Sequence, residues 1–222
     1  MIIAIDGPAA SGKSTVARAV ATRLGFAYLD TGAMYRAVAA EALRRGIATD
    51  DAASLTELAA ALSLGFEHED GSALPTRVSA DGRDVTCEIR TPAVDAAVSP
   101  VSSVPGVRVA MVRVQRDIAA HGDSVVEGRD IGTIVFPEAE LKVYLSAAPQ
   151  ERARRRAGDM GRLGHDLSEQ AVLERLERRD QADSTREASP LAVAPDAIEI
   201  DTTGLSVEQV VERIATMAKD RR

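Results

Sequence analysis

The stretch Gly7-Pro8-Ala9-Ala10-Ser11-Gly12-Lys13-Ser14, with Thr15 behind it, carries the most explicit chemistry in this chain. It satisfies every fixed position of the pattern G-x-x-x-x-G-K-[ST], a loop whose backbone N–H groups cradle phosphate. Gly7 and Gly12 permit backbone angles and close approach that a Cβ would obstruct. Lys13 then reaches the β- and γ-phosphates of a nucleoside triphosphate, and the Ser14 hydroxyl coordinates Mg²⁺. A second set is arginine, at positions 36, 108, 129, 152, 155, 179 and 186, with no histidine or cysteine beside it. His68, His121 and His165 fall in turns or loops and read as exposed residues. An acceptor hydroxyl needs a positioned base, whereas an acceptor phosphate is already a nucleophilic anion near neutral pH. Transfer between two phosphates needs charge neutralisation and in-line positioning, which arginine supplies with its bidentate fork. These residue types favour a kinase of nucleoside monophosphates over a kinase of alcohols, for which Asp30 or Asp130 could still serve as base.

The elements that must position these groups alternate strand and helix. Met1–Ile5 is an apolar, β-branched run ending at Asp6, and Val16, Ala17, Val20, Ala21 and Leu24 recur at helical spacing up to Gly25. Strand, glycine loop and helix aim several N–H groups and a helix N-terminus at one anion. Phe26–Leu29 reads as a second strand, with Thr31 at its end and Arg36 in the first turns of the next helix. A further helix spans 51–62. Residues 64–90 break the alternation, because Asp70-Gly71 and Asp81-Gly82 mark turns between short alternating runs. They predict a small antiparallel sheet inserted in the α/β core, either a substrate module or an inert decoration. Pro92 opens a helix after Thr91, Pro100 and Pro105 are expected to bracket a turn, and a longer helix follows to Gly122. Residues 124–127, 141–145 and 197–201 are three more strands, and Ser206 to Gln209 is a capping box for the last helix. The Gly128–Thr133 turn, holding Arg129 and Asp130, sits at a strand's C-terminal end, where parallel sheets bind ligands; a structural ion pair is the other reading of that pair. Gly158 to Gly164 is a glycine-interrupted segment suited to moving.

A length of 222 residues suits one α/β domain, and 45% hydrophobic with 27% charged residues is ordinary for a globular protein. The net charge of −7 excludes a global field attracting nucleic acid or an anionic membrane. Cys87 stands alone, so a reducing cytoplasm is expected, with Cys87 packed in a strand. Lys13 follows the N-terminal apolar run, so no signal peptide is expected, and no run approaches the roughly 18 apolar residues of a membrane span. Of 27 basic residues only Lys13, Lys142 and Lys219 are lysine; genome composition accounts for that bias, and position has to identify the functional arginines.

The chain resembles the bacterial cytidylate kinase family. The resemblance begins at Asp6-Gly7-Pro8, continues through Leu29 to Arg36 and Glu88 to Thr91, and resumes over Gly128 to Pro137 and Arg179 to Arg186. It runs nearly end to end and includes the insert. It implies a single kinase domain: a five-stranded parallel sheet with helices on both faces in a core of 1–63 and 91–222, a nucleotide-binding insert at 64–90, and an arginine-bearing lid at about 150–166. It implies transfer from ATP, with Mg²⁺, to CMP or dCMP in a cytoplasmic enzyme expected to be a monomer. Carried over by residue, Thr31 belongs to the set around the monophosphate, in which Arg36, Arg129 and Arg186 hold the acceptor phosphate, Arg179 and Asp183 lie near the sugar, and Ser99, Arg108 and Asp130 read the base. Arg152 and Arg155 close over the donor phosphates. Three positions depart from the family pattern: Thr31 where serine is common, Glu127 where aspartate is common, and Ser184 where an arginine is frequent. A shikimate or dephospho-coenzyme A kinase, or a non-enzymatic nucleotide switch, remain as rivals; the first two leave the insert and the Arg129–Asp130 turn unexplained, and the switch leaves the lid arginines idle.

Overall fold

Residues 1–68, 75–162 and 167–221 are described here from a computed structural model. In chain order, β1 (Ile2–Asp6) leads through the glycine loop into α1 (Lys13–Leu24), and β2 (Ala27–Asp30) into α2 (Thr31–Arg44) and α3 (Ala52–Ala61). A small sheet follows, of β3 (Leu64–His68), β4 (Pro75–Ala80) and β5 (Arg83–Asp84), and then α4 (Pro92–Ser103) and α5 (Pro105–Ala119). The chain finishes with β6 (Ser124–Glu127), β7 (Leu141–Ser146), α6 (Pro149–Arg162), α7 (Glu169–Thr185), β8 (Ile198–Asp201) and α8 (Val207–Lys219).

The main sheet has the order β2-β6-β1-β7-β8, and every pairing in it is parallel. Ile3, Ala4 and Ile5 of the central strand are fully buried because helices cover both faces, which is why β1 is a continuous apolar run instead of an alternating one. On one face Met34 and Val38 of α2 pack with Leu55, Val101 and Met111 from α3, α4 and α5. On the other, Val16 and Val20 of α1 meet Ile214 and Val210 of α8 over Ile3, Ile5 and Val143. The register pairs Ile5 with Glu127 and Asp30 with Glu127, so Asp6, Asp30 and Glu127 share the C-terminal edge of the sheet.

The insert is an antiparallel sheet of order β3-β4-β5, and Asp81 and Gly82 between its last two strands both take positive φ, 50° and 77°, as a tight hairpin turn requires. The expected Asp70-Gly71 turn lies outside the described residues.

Three local expectations need correction. Cys87 is exposed and not in a strand. The Thr86 N–H bonds the Asp84 carboxylate at 2.9 Å and its Oγ1 accepts from Val78 N at 2.9 Å, so β5 stops after two residues and Ile89 takes the buried place. Pro100 lies inside α4 and not in a turn. Val98 and Val101, 4% and 0% exposed, pin the helix on either side of the proline, and that burial outweighs one lost hydrogen bond only a turn from the helix end. Gly158 and Gly161 are helical, because α6 runs through both to Arg162; Gly164 lies outside the described residues.

Candidate active site at the C-terminal edge of the parallel sheet

The glycine loop leaves β1 at its C-terminal end with geometry only glycine tolerates at its first position. Gly7 has φ 147°, and a Cβ there would stand 2.1 Å from the Leu145 carbonyl oxygen. Gly12, φ 95°, caps α1, so the loop ends at the N-terminus of that helix. Pro8, Ala9 and Ala10 form the loop's crown, and both backbone groups of Ala9 are held from outside. Its N–H donates to Asp180 Oδ1 at 3.1 Å, and its carbonyl accepts from Arg152 Nη1 at 3.1 Å, while Arg152 and Asp180 pair with each other. Lys13 Nζ donates to the Pro8 carbonyl at 2.6 Å and lies 3.5 Å from Ser11 Oγ. Burial and then the Arg129 charge push the Lys13 ammonium well below the ordinary lysine value, against the pull of Glu127 and Asp6. Thr15, in the first turn of α1, is exposed.

Ser14 Oγ donates to Glu127 Oε2 at 2.9 Å, and the Tyr28 hydroxyl donates to the other oxygen of the same carboxylate. Burial and the nearby Asp30 charge raise the Glu127 carboxyl to about 7, against those two hydrogen bonds. Thr31, buried at the start of α2, donates to the Glu127 carbonyl at 2.7 Å.

Across the mouth from Lys13, the arginines converge from four elements. Arg129 Nε donates to Asp183 at 2.8 Å and its Nη1 to the Gly7 carbonyl at 3.0 Å. Asp95 on α4 gathers Arg36 at 2.5 Å, Arg156 at 3.2 Å and Arg179 at 4.0 Å. Arg186 stands 3.8 Å from both Asp130 and Asp183, and its Nε donates to the Ser189 carbonyl at 2.6 Å. The Arg179 guanidinium is pulled down to about 10, first by burial and then by the Arg129 charge. Arg179 Nε and Arg186 Nη2 are buried without a hydrogen-bond partner. This is a surplus of crowded cation, which an anion would relieve.

Arg108 and Asp130 form a buried ion pair, 3% and 4% exposed; Arg108 also bonds the Ser102 carbonyl at 3.1 Å and lies 5.2 Å from the Tyr35 ring centroid. Ser99 stands half-buried on α4, and its carbonyl receives the Ser102 hydroxyl at 3.1 Å; its side chain is not drawn to Arg108 or Asp130. Arg155 spans Thr202, to Oγ1 and the carbonyl at 2.9 Å each, and Glu151 at 2.8 Å, with the Ser11 carbonyl at 3.5 Å. Arg152 and Arg155 therefore each donate to a carbonyl of the glycine loop.

The structure thus brings Lys13, Ser14, Thr31, Arg36, Arg108, Arg129, Asp130, Arg179, Asp183 and Arg186 to one end of the sheet. Sequence reasoning missed Asp6, Tyr28, Asp95, Asp180 and Thr202. Position at a strand's C-terminal end could have flagged Asp6 and Thr202; Asp95 and Asp180 are acids on polar helix faces, indistinguishable in sequence from solvated ones.

The sequence model of the family described as cytidylate kinase matches residues 3–220. The chain is 46% identical over 221 residues to the cytidylate kinase of Geobacter sulfurreducens, covering 100% of this chain and 94% of that protein. It is 50% identical over 215 residues to the cytidylate kinase of Symbiobacterium thermophilum, covering 96% and 94%. It is also 52% identical over 216 residues to a bifunctional pantoate ligase/cytidylate kinase of a Synechococcus species; that match covers 97% of this chain and 40% of that protein's length. In fold it is similar to the crystal structure of TT1252 from Thermus thermophilus, with a TM-score of 0.50 at 18% identity over 99% of this chain and 96% of that one.

Proposed function

The chain belongs to the cytidylate kinase family, and we infer that it transfers a phosphoryl group from ATP to CMP or dCMP, giving ADP and CDP or dCDP. It is an ATP-dependent nucleoside monophosphate kinase. The observation that carries the assignment of roles is the facing of a phosphate loop by crowded arginines, two of whose buried nitrogens lack a hydrogen bond, with no histidine or cysteine beside them among the described residues. Two polyanions need that arrangement and an alcohol acceptor does not.

In this reading residues 7–15 hold the donor phosphates, and Lys13 leaves the Pro8 carbonyl to neutralise charge on the transferring group. Arg36, Arg129 and Arg186 clamp the acceptor phosphate in line; their present partners Asp95, Asp183 and Asp130 keep the cations soluble within the site until the phosphate replaces them. Arg179 and Asp183 lie at the sugar, and Arg108, Asp130 and Ser99 at the base, with Thr31 bracing the turn through the Glu127 carbonyl. Arg152 and Arg155 neutralise donor charge as α6 closes.

The Ser14 hydroxyl and Glu127 carboxylate, 2.9 Å apart, are hard oxygen donors of the kind Mg²⁺ shares with phosphate and water, so the residues present fit that ion. Bound there, Mg²⁺ would screen the β- and γ-oxygens. Glu127 has the longer side chain where the family commonly has aspartate, and the Tyr28 hydroxyl holds one of its oxygens while the other faces Ser14. A cytoplasmic setting suits an enzyme of free nucleotides, and one chain carries every group named, so no second copy is needed.

The test is ADP release by the full chain with Mg²⁺-ATP across a panel of CMP, dCMP, UMP, AMP, shikimate and dephospho-coenzyme A. Turnover confined to CMP and dCMP is expected. Slow ADP release that no acceptor stimulates would replace the kinase with a nucleotide-hydrolysing switch.

A further inference from the structure

Asp6 closes β1, belongs neither to the glycine-loop pattern nor to the arginine set, and is 5% exposed. Its Oδ1 accepts from Ile131 N at 2.8 Å and its Oδ2 from Gly132 N at 2.7 Å. Its neighbours do the same for the residues just before. The Ile5 carbonyl accepts from Gly128 N at 3.0 Å, and the Gly7 carbonyl from Arg129 Nη1 at 3.0 Å. Three consecutive residues at the root of the glycine loop thus hold four donors of the 128–132 turn, the turn that carries Arg129 and Asp130.

The contact is close on both sides. A Cβ on Gly132 would lie 3.4 Å from Asp6 Oδ2 and 3.1 Å from the Lys142 side chain, so the glycine lets the turn seat on the carboxylate. A short helical turn, Ile131–Val135, starts here, and its first N–H groups have no partner within it. An aliphatic side chain at position 6 would fill the space and leave two buried donors orphaned. A carboxylate is the one side chain that offers an acceptor to each, at the cost of a buried charge.

We propose that Asp6 is a positioning residue that seats the acceptor-binding turn on the root of the donor loop, holding Arg129 and Asp130 in register with Lys13. The proposal rests on the kinase reading above. Asp6 touches neither nucleotide in it; it acts through the backbone of Ile131 and Gly132. In-line transfer depends on the distance between donor and acceptor phosphates, so slack of about 1 Å between these two loops suppresses turnover even when each nucleotide binds.

The test compares the full chain with Asp6→Asn, an isosteric change whose amide offers one acceptor and turns a donor toward the second N–H. CMP affinity is expected to fall about tenfold and kcat, at saturation in both nucleotides, about tenfold or more, while the Kd for Mg²⁺-ATP alone stays within about threefold. Equal weakening of ATP and CMP with a lowered Tm would mean a merely structural role, and unchanged kinetics would mean none; either overturns the proposal. A second measurement uses the wild-type chain and needs no variant. The charged groups facing Asp6 are Lys13 from the loop, Asp130 from the turn and Lys142 from β7, with the Tyr144 hydroxyl nearby. Burial raises its carboxyl to about 6, so the Ile131 and Gly132 amide protons should move upfield together as pH falls through that value. Amides that do not titrate jointly between about pH 5 and 7 would sink the linkage. A wild-type chain that neither binds CMP nor phosphorylates it would fail the kinase reading itself, before any variant is compared.

Discussion

At the scale of single residues, the site is organised by charges removed from water. Lys13 is held by the Pro8 carbonyl and has its charged form disfavoured by burial, so its positive charge gains most when phosphate arrives. Lys13→Ala should lower kcat by roughly a hundredfold or more while changing CMP affinity little, because the charge it meets peaks in the transition state; near-normal turnover would remove the loop from catalysis. Arg108 and Asp130 pair with each other; in the proposed reading cytosine fits their polarity, its amine donating to the carboxylate and its N3 or O2 accepting from the guanidinium. Uracil reverses both groups, at about 1–3 kcal/mol per mismatch, so CMP should be preferred to UMP by about a hundredfold or more. In Asp130→Ala and Arg108→Met the CMP-to-UMP ratio of kcat/KM should narrow, with thermal melts run alongside because each change orphans a buried charge. An unchanged ratio would assign the pair to bracing the turn alone. Asp6 adds a pH dependence. Its folded-state value of about 6 lies above the ordinary 3.8, so its contribution to stability is full below about pH 4 and is lost as pH rises through 6. Relative to wild type, Asp6→Asn should gain about 3 kcal/mol between pH 4 and pH 8, read from urea unfolding at each pH.

At the scale of elements, α6 and α7 differ from the rest of the molecule. Their apolar contact is a small cluster of Ala153, Val172 and Leu176 with Ala9 and Ala10 from the loop, and their other ties include the charged contacts of Arg152, Arg155, Arg156, Arg179 and Asp183. A helix pair held mainly by ion pairs to a ligand-binding loop can swing without opening a core. Hydrogen exchange over 150–162 should slow when ATP and CMP are bound together; exchange equally slow in the free protein would make α6 a fixed element. By contrast α8 is fastened by a large apolar face, and its start by a reciprocal cap, Gln209 N to Ser206 Oγ at 3.2 Å and Ser206 N to Gln209 Oε1 at 2.9 Å. Ser206→Ala should cost about 1 kcal/mol of unfolding free energy and leave turnover untouched.

At the scale of the whole molecule, the two apolar layers meet across one parallel sheet, so core damage is felt globally while ligand binding at the sheet edge stabilises the fold. Met34→Ala, at a fully buried site, should lose about 2–5 kcal/mol. Mg²⁺-ATP or CMP at a hundred times its Kd should add about 2.7 kcal/mol, raising Tm by about 5–10 °C. No helix among the described residues is long and apolar enough to cross a membrane.

The five core strands and the glycine loop were legible in the sequence because their signals are local: short runs rich in apolar residues, three of them ending in Asp6, Asp30 and Glu127, and a glycine pattern whose spacing is itself the geometry. The hairpin at Asp81-Gly82 was legible for the same reason, since two positive φ angles demand those residue types. What the sequence could not decide was decided by burial and by partners distant along the chain. Pro100 reads as a breaker but is overruled by Val98 and Val101 packing into the core, and Cys87 leaves its strand because the Thr86 side chain takes over a backbone hydrogen bond. Asp6 is marked only as an acid at a strand end, and Asp180 not at all, until residues about 125 and 171 positions away supply the N–H groups they accept from. Which of the 24 arginines crowd one site is likewise a tertiary fact. Charge at one position carries no sequence signature of the charge it will face, because that encounter exists only once the sheet has brought the ends of its strands together.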